Sequence, residues 1–237
     1  MRHPFLRCLS AQCQLRNLLC FVPGPVGRVV KYGGLLATAL AASRTPAHSA
    51  THARMTSSAR KTRSPDDILY FAYGSNMWSH RMHIRNPTAK FFDTAELEGY
   101  YVGFVDDFES WQGAAATLKK SAERTTHGVL WTIPKGDIHS LDRQEREYEA
   151  ADVTVKLPSG DKVVCRTYFY LPSRPGKKNM PSLLYKAVIV AGAIEHKLPD
   201  SYVQELMKNP DNGKTQGSNI GVDIEKLRSD VNGYLTL

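Results

Sequence analysis

The sequence predicts one α+β domain behind a basic leader, and three observations carry that expectation. An unbroken apolar and aromatic run, Ile68 to Ala72, feeds a Gly-Ser-Asn turn and then a helical pattern. Counting that run, about six strand-like stretches are separated by turn signals. Segments with helical spacing lie between and after them.

Taken in order, Ile68–Ala72 reads as a buried, central strand, since five successive apolar or aromatic residues leave no solvent face. Trp78–Asn86 reads as a short helix stopped by Pro87, and Phe91–Phe104 as one or two strands interrupted near Gly99. Asp106–Gln112 looks like a polar loop. Ala114–Leu118 and Gly128–Ile133 are the next strands, joined by a charged turn over Lys119–Thr126. Pro134 punctuates, and Lys135–Glu145 has helical spacing. Val153–Leu157 and Lys162–Tyr170 flank Pro158-Ser-Gly-Asp161, a good hairpin signal. Leu171–Pro181, with three prolines, is a loop long enough to cover a site. Ser182–Glu195 is a helix with a stripe of Tyr185, Val188, Ile189 and Gly192, and Ser201–Lys208 another with Tyr202, Val203 and Leu206. Asn209–Asn219 reads as a mobile polar loop, and Asp223–Asp230 as a last helix.

Charge marks the domain boundary. Residues 1–63 carry ten of the 31 Lys and Arg and none of the 23 Asp and Glu, which leaves 21 basic against 23 acidic side chains in residues 64–237. The net +8 therefore belongs to the leader, and the slightly acidic remainder argues against a nucleic-acid partner. Rich in Arg, Ser and Ala and free of acids, residues 1–54 fit a mitochondrial presequence. Equally, translation can begin at Met55, which points to the cytoplasm. The apolar run Gly33–Ala42 is too short to span a bilayer, so no membrane association is expected.

Cys8, Cys13 and Cys20 sit in the leader without the paired spacing or nearby His of a zinc site, and Cys165 lies alone in a strand-like run. That usage fits a reducing compartment, with Cys165 a small core residue. His80 and His83 are three apart on a predicted surface helix and lack a third ligand nearby, so a solvated face is the expectation and no metal. His127 and His139 have no Ser or Cys nucleophile motif to serve, which argues against a hydrolase triad.

Chemistry is concentrated at two places. In the turn after the first strand, Gly74 can take backbone angles denied to other residues, so neighbouring N–H groups can converge on a carboxylate or oxyanion, and Ser75 or Asn76 can start the next helix. The same residues also describe an ordinary strand-to-helix connection. In Lys135–Glu145, the positions Ile138, Leu141 and Glu145 share one face, which turns a carboxylate inward. Partial burial and the negative end of the helix dipole would both raise its pKa and suit it to moving a proton near neutral pH. The competing reading is a helix-end glutamate paired with Lys or Arg.

Ile68-Leu-Tyr-Phe-Ala-Tyr-Gly-Ser-Asn76, Asn86-Pro87, Leu97-Glu-Gly-Tyr100, Gly128-Val-Leu-Trp131, Leu141-Asp-Arg-Gln-Glu145 and Tyr185 form an ordered set over Ile68 to Lys208. In order and spacing this set resembles the gamma-glutamylcyclotransferases. The resemblance implies a small mixed, largely antiparallel barrel-like sheet with flanking helices. It also implies that Glu145 is the general acid/base, that Tyr70, Phe71, Ala72, Tyr73, Gly74 and Ser75 form the pocket wall, and that Tyr185 closes over the ligand. Since Tyr70 and Phe71 alternate across a strand, one of them must face away, and Tyr185 can equally be a packing residue.

The implied reaction takes a γ-glutamyl amino acid, cyclises it through its own α-amine and releases 5-oxoproline and a free amino acid, without cofactor or metal. A homodimer is common among such proteins. This chain departs from the family in Arg146-Glu-Tyr-Glu149, where a Gly after the glutamate and a longer loop are usual, and Glu147 and Glu149 become competing carboxylates. Specificity for glutathione or a γ-glutamylamine is the alternative, as is a non-catalytic module that binds a small carboxylate. Related branches that act on those substrates carry Thr-Leu or Ser-Leu where this chain has Ser75-Asn76, which favours γ-glutamyl amino acids.

Overall fold

Phe71 and Ala72 are fully buried at the end of a strand flanked on both sides, as an all-apolar run requires. The computed structural model of the chain describes residues 63–170 and 180–237. The leader, apart from Arg63, and the expected covering loop Leu171–Pro181, apart from its last two residues, lie outside the described residues.

Among the described residues, five strands form a closed barrel: β1 (Asp67–Ala72), β2 (Lys90–Phe108), β3 (Gly113–Pro134), β4 (Glu149–Lys156) and β5 (Lys162–Phe169), in the order β1-β3-β2-β4-β5. All pairings are antiparallel except β1 with β5, where Tyr70 lies opposite Arg166. The mixed, largely antiparallel barrel is therefore observed, with five strands where about six were expected. β1 is central, between β3 and β5, as its composition demanded.

The missing strand and turn have one explanation. Residues 113–134 form a single strand, so no turn breaks Lys119–Thr126. Its charged middle projects beyond the core, and three residues of β2, Glu98 to Tyr100, stand opposite six of β3, Lys120 to Thr125. Exposure on both faces removed the alternation by which a strand is recognised. Opposite it, Gly99 at φ 81 supplies a bulge instead of the expected interruption, and β2 continues through Asp106 to Phe108, where a polar loop was expected. In the β4–β5 hairpin, Gly160 takes φ 88 within the turn, and Leu157 N–H donates to Asp161 O at 2.8 Å.

Among the described residues, five α-helices flank the barrel: α1 (Ser79–Arg85), α2 (Ile138–Gln144), α3 (Leu183–Glu195), α4 (Asp200–Met207) and α5 (Ile224–Asp230). A 3-10 turn, Ser75–Met77, precedes α1 and another, Lys135–Asp137, precedes α2, so the helical span expected over Lys135–Glu145 is divided. Ser182 caps α3, its hydroxyl accepting from the Tyr185 N–H at 3.1 Å. Rather than showing one stripe, α3 is buried from Leu184 to Ala193, because the 3-10 turn at Ser75–Met77, α4 and α5 pack around it. No helix of the described residues is long and apolar enough to cross a membrane.

The segment Asn209–Asn219 has no regular structure, but it is fastened rather than loose. Leu184 N–H donates to Lys214 O at 3.1 Å, Ser218 N–H to Ser110 O at 2.9 Å, and the buried Lys186 ammonium pairs with Asp211 and reaches Asn209 O at 3.1 Å. Burial alone would raise the Asp211 pKa, yet the Lys186 hydrogen bond and charge and the Gly213 N–H bring it below the usual value.

Candidate active site

One end of the barrel opens into a cavity of about 350 Å³, within the roughly 300–1,000 Å³ of small-molecule clefts. Its floor and walls come from the turn after β1, α1, the near ends of β2 and β3, the residues ending α2, and α3. The clustering follows from topology. β1 runs antiparallel to β3, with Ala72 opposite Val129, so the turn that leaves β1 points toward the N-terminal half of β3, where Ala115 and Ala116 line the cavity.

Glu145 caps the C-terminus of α2, its N–H donating to Leu141 O at 2.9 Å, and its carboxyl faces the cavity. Two amides hold one of its oxygens: Asn76 Nδ2 donates to Oε1 at 2.8 Å and Gln144 Nε2 at 3.2 Å. Gln144 Nε2 also donates to Asn76 Oδ1 at 2.8 Å, and Asn86 Nδ2 donates to Gln144 Oε1 at 3.0 Å, so the three amides orient one another. Among the described residues no protein donor reaches Oε2. Burial raises the Glu145 pKa, and the Asn76 hydrogen bond, the Arg81 charge and the Gln144 hydrogen bond hold the rise in check. The inward carboxylate expected from sequence is therefore present, and a helix-end ion pair is not what holds it.

This clamp makes a pH prediction. Asn76→Ala removes a donor that favours the charged form, so the Glu145 pKa rises further and the acid limb of kcat/KM against pH moves to higher pH. The loss at the optimum should be roughly tenfold, the effect of one good hydrogen bond. An unmoved acid limb in the pH–rate profile would exclude the clamp.

Across the cavity lies the turn Tyr73–Asn76. Gly74 has φ −119, so its freedom at positive φ is not what the turn uses. A Cβ there would point at the Tyr185 hydroxyl, 3.4 Å away, and at Ala116 Cβ, 3.5 Å away. Glycine thus keeps cavity space open. As the first residues of a 3-10 turn, Ser75 and Asn76 have N–H groups with no partner within it. Tyr185 O–H accepts from Ala116 N–H at 3.1 Å, which leaves its proton to donate toward the cavity, and burial above all pushes its pKa up to about 12.

Of the residues expected in the wall, Tyr70, Tyr73, Gly74, Ser75, Tyr185 and Glu145 meet at the cavity. Phe71 and Ala72 do not line it. Strand alternation turns Phe71 to the opposite face, where its ring lies 2.6 Å from the position a Cβ on Gly128 would take, and Ala72 is sealed beneath the turn. Of the competing carboxylates, Glu147 is exposed at the mouth and Glu149 opens β4.

The short Arg146–Glu149 segment also does something the sequence did not disclose. Tyr148 N–H donates to Glu145 O at 2.8 Å, and this tight turn swings the Tyr148 ring into the wall, its hydroxyl donating to Ala116 O at 3.2 Å. Asn76, Gln144 and Arg81 are further cavity residues that sequence reasoning missed. His80 and His83 have protein partners: His80 Nε2 accepts from Asp223 N–H at 3.3 Å, and His83 Nε2 lies 2.9 Å from Ala89 O. Cys165 is buried, and burial pushes its thiol up to about 12.

Comparison with known proteins agrees with this arrangement. The AIG2-like family profile matches residues 125–206. A Bos taurus gamma-glutamylcyclotransferase is 35% identical over 154 residues, 62% of this chain and 80% of the relative. The Homo sapiens gamma-glutamylcyclotransferase is 36% identical over 152 residues, 60% of this chain and 79% of that protein. A solved gamma-glutamyl cyclotransferase structure superposes with a TM-score of 0.63 at 33% identity, covering 68% of this chain and 99% of that one.

Proposed function

Since this chain belongs to the gamma-glutamylcyclotransferase family, we propose that its cavity converts a γ-glutamyl amino acid into 5-oxoproline and the free amino acid. The observation that carries this reading is a partly buried carboxyl clamped through one oxygen, with the other open to the cavity that Gly74, Ser75 and Tyr185 also face.

The substrate's α-ammonium gives its proton to Glu145 Oε2, and the freed amine attacks the γ-carbonyl carbon of the same molecule. A C–N bond forms, closing a five-membered ring, and the carbonyl oxygen becomes an oxyanion. Main-chain N–H groups of the Gly74–Ser75 turn and the Tyr185 hydroxyl are placed to receive it; a lost donor of this kind costs about 3 kcal/mol. Collapse breaks the original amide C–N bond as the departing nitrogen takes the proton back from Glu145; the ring nitrogen then gives its surplus proton to the same carboxylate, which passes it to the released amine, so the products are a neutral lactam and an ammonium. Holding the chain curled supplies much of the acceleration through proximity.

Arg85, Arg143 and Arg146 stand exposed at the mouth, a position that suits a leaving group with its own carboxylate, which favours γ-glutamyl amino acids over γ-glutamylamines. Incubating the purified protein with γ-glutamyl-alanine, γ-glutamyl-lysine and glutathione, and assaying 5-oxoproline, tests and ranks the substrates. Silence with all three would leave the small-carboxylate binding module as the reading. The reading includes a cytoplasmic homodimer, tested by light scattering and by N-terminal sequencing of the native protein; cleavage near residue 54 would instead indicate the mitochondrial matrix.

A further inference from the structure

Arg81 lies on α1, reaches the cavity, and is only 8% exposed. Its Nε and Nη1 are buried without a hydrogen-bond partner. The guanidinium rests over the Trp111 ring, 5.5 Å from its centroid, so one face is covered by an aromatic and no acceptor is offered there. A buried cation with unmade hydrogen bonds is costly, and a fold that keeps one has a use for it.

The nearby Glu145 does not discharge that need. Its Oε1 is occupied by two side-chain amides, and among the described residues no ion pair joins it to Arg81. The separation matters: a direct Arg–Glu pair would hold the carboxyl permanently charged and unfit to carry a proton. Arg81 is thus a spare cation at the depth of the proton carrier, whereas Arg85, Arg143 and Arg146 are exposed at the mouth.

In a γ-glutamyl compound the α-ammonium and α-carboxylate share one carbon. When the ammonium faces Glu145 Oε2, the carboxylate must lie within a few ångströms of it. We propose that Arg81 is the receptor for the α-carboxylate of the γ-glutamyl group, so that the site admits only substrates in which that carboxylate is free. The assignment rests on the cyclotransferase reading and deepens it. It also divides the labour of the cavity: the guanidinium takes the carboxylate, and the Gly74–Ser75 amides are left for the oxyanion. A guanidinium fork matches a carboxylate in two parallel hydrogen bonds, which fixes the rotation of the α-carbon and aims the amine at the γ-carbon.

The test uses the full chain with γ-glutamyl-alanine and with the same compound carrying an α-carboxamide, which keeps the amine and the scissile bond. Wild type should lose about 100-fold in kcat/KM on the carboxamide, since a charged acceptor is replaced by a neutral one. Arg81→Met should lose a comparable factor on the carboxylate and no longer distinguish the two substrates, while Arg81→Lys recovers part of the preference. Equal turnover of both compounds by wild type, or an undiminished preference in Arg81→Met, overturns the proposal. Should Arg81→Met fail to fold, calorimetry of wild type with 5-oxoproline and with its carboxamide carries the same discrimination, and equal affinity overturns it. Wild type that releases 5-oxoproline from no γ-glutamyl compound removes the cyclotransferase reading itself, a result distinct from loss of preference.

Discussion

Glu145→Gln is expected to lower kcat on γ-glutamyl-alanine by about 100- to 10,000-fold, the range for removal of a positioned acid/base, with the fold intact. Glutamine is the informative replacement because its side-chain oxygen can still accept from Asn76 Nδ2 and Gln144 Nε2, preserving the clamp. Only the exchangeable proton is lost. Stability should not fall with it. The folded-state pKa of Glu145 is raised by burial, so its ionised form weakens the fold between its ordinary pKa and the raised one, and above. The protonated form is the one the fold favours. A neutral side chain should therefore leave the melting temperature at pH 7 level or higher, the signature of a residue kept for chemistry. Turnover retained in this variant, or a large drop in melting temperature, would remove Glu145 from the role.

Gly192→Ala should be the most damaging single-methyl change in the helical layer. An added Cβ would sit 2.5 Å from Trp78 N, 2.6 Å from Met77 C and 2.6 Å from Met77 Cβ. Backbone on both sides has no rotamer by which to yield, so α3 and the 3-10 turn must separate. Overpacking of this kind costs about 1–3 kcal/mol or more, and a domain of this size loses roughly 2–4 °C per kcal/mol. Activity should decline too, because the displaced turn contains Asn76, the donor to Glu145. Gly136→Ala is the control, since nothing lies within 4 Å of its added methyl. Equal melting temperatures for the two variants would contradict the packing described.

The sequence disclosed what depends on local pattern. Ile68–Ala72 announced a two-sided strand, Pro158–Asp161 a hairpin, and the face shared by Ile138, Leu141 and Glu145 an inward acid, all of which the structure contains. It concealed what depends on residues meeting from afar. Asn76 and Glu145 are 69 residues apart, and neither motif hints that the amide of one orients the carboxyl of the other. Nothing in the sequence singled out Arg81, because α1 is too short for its buried face to register as a stripe. The two long strands were hidden for a different reason: where β3 leaves the core its charged residues are exposed, and composition there imitates a turn.

The position of Trp111 has a practical consequence. Of the three tryptophans, Trp78 and Trp131 are sealed in the core, while Trp111 lines the cavity, with Arg81 over its ring and Tyr185 at 4.7 Å. An indole in that setting is an intrinsic optical probe: an occupant that draws the guanidinium toward itself alters the quenching of one indole against the steady emission of the two core tryptophans, and ligand capture becomes visible without a label.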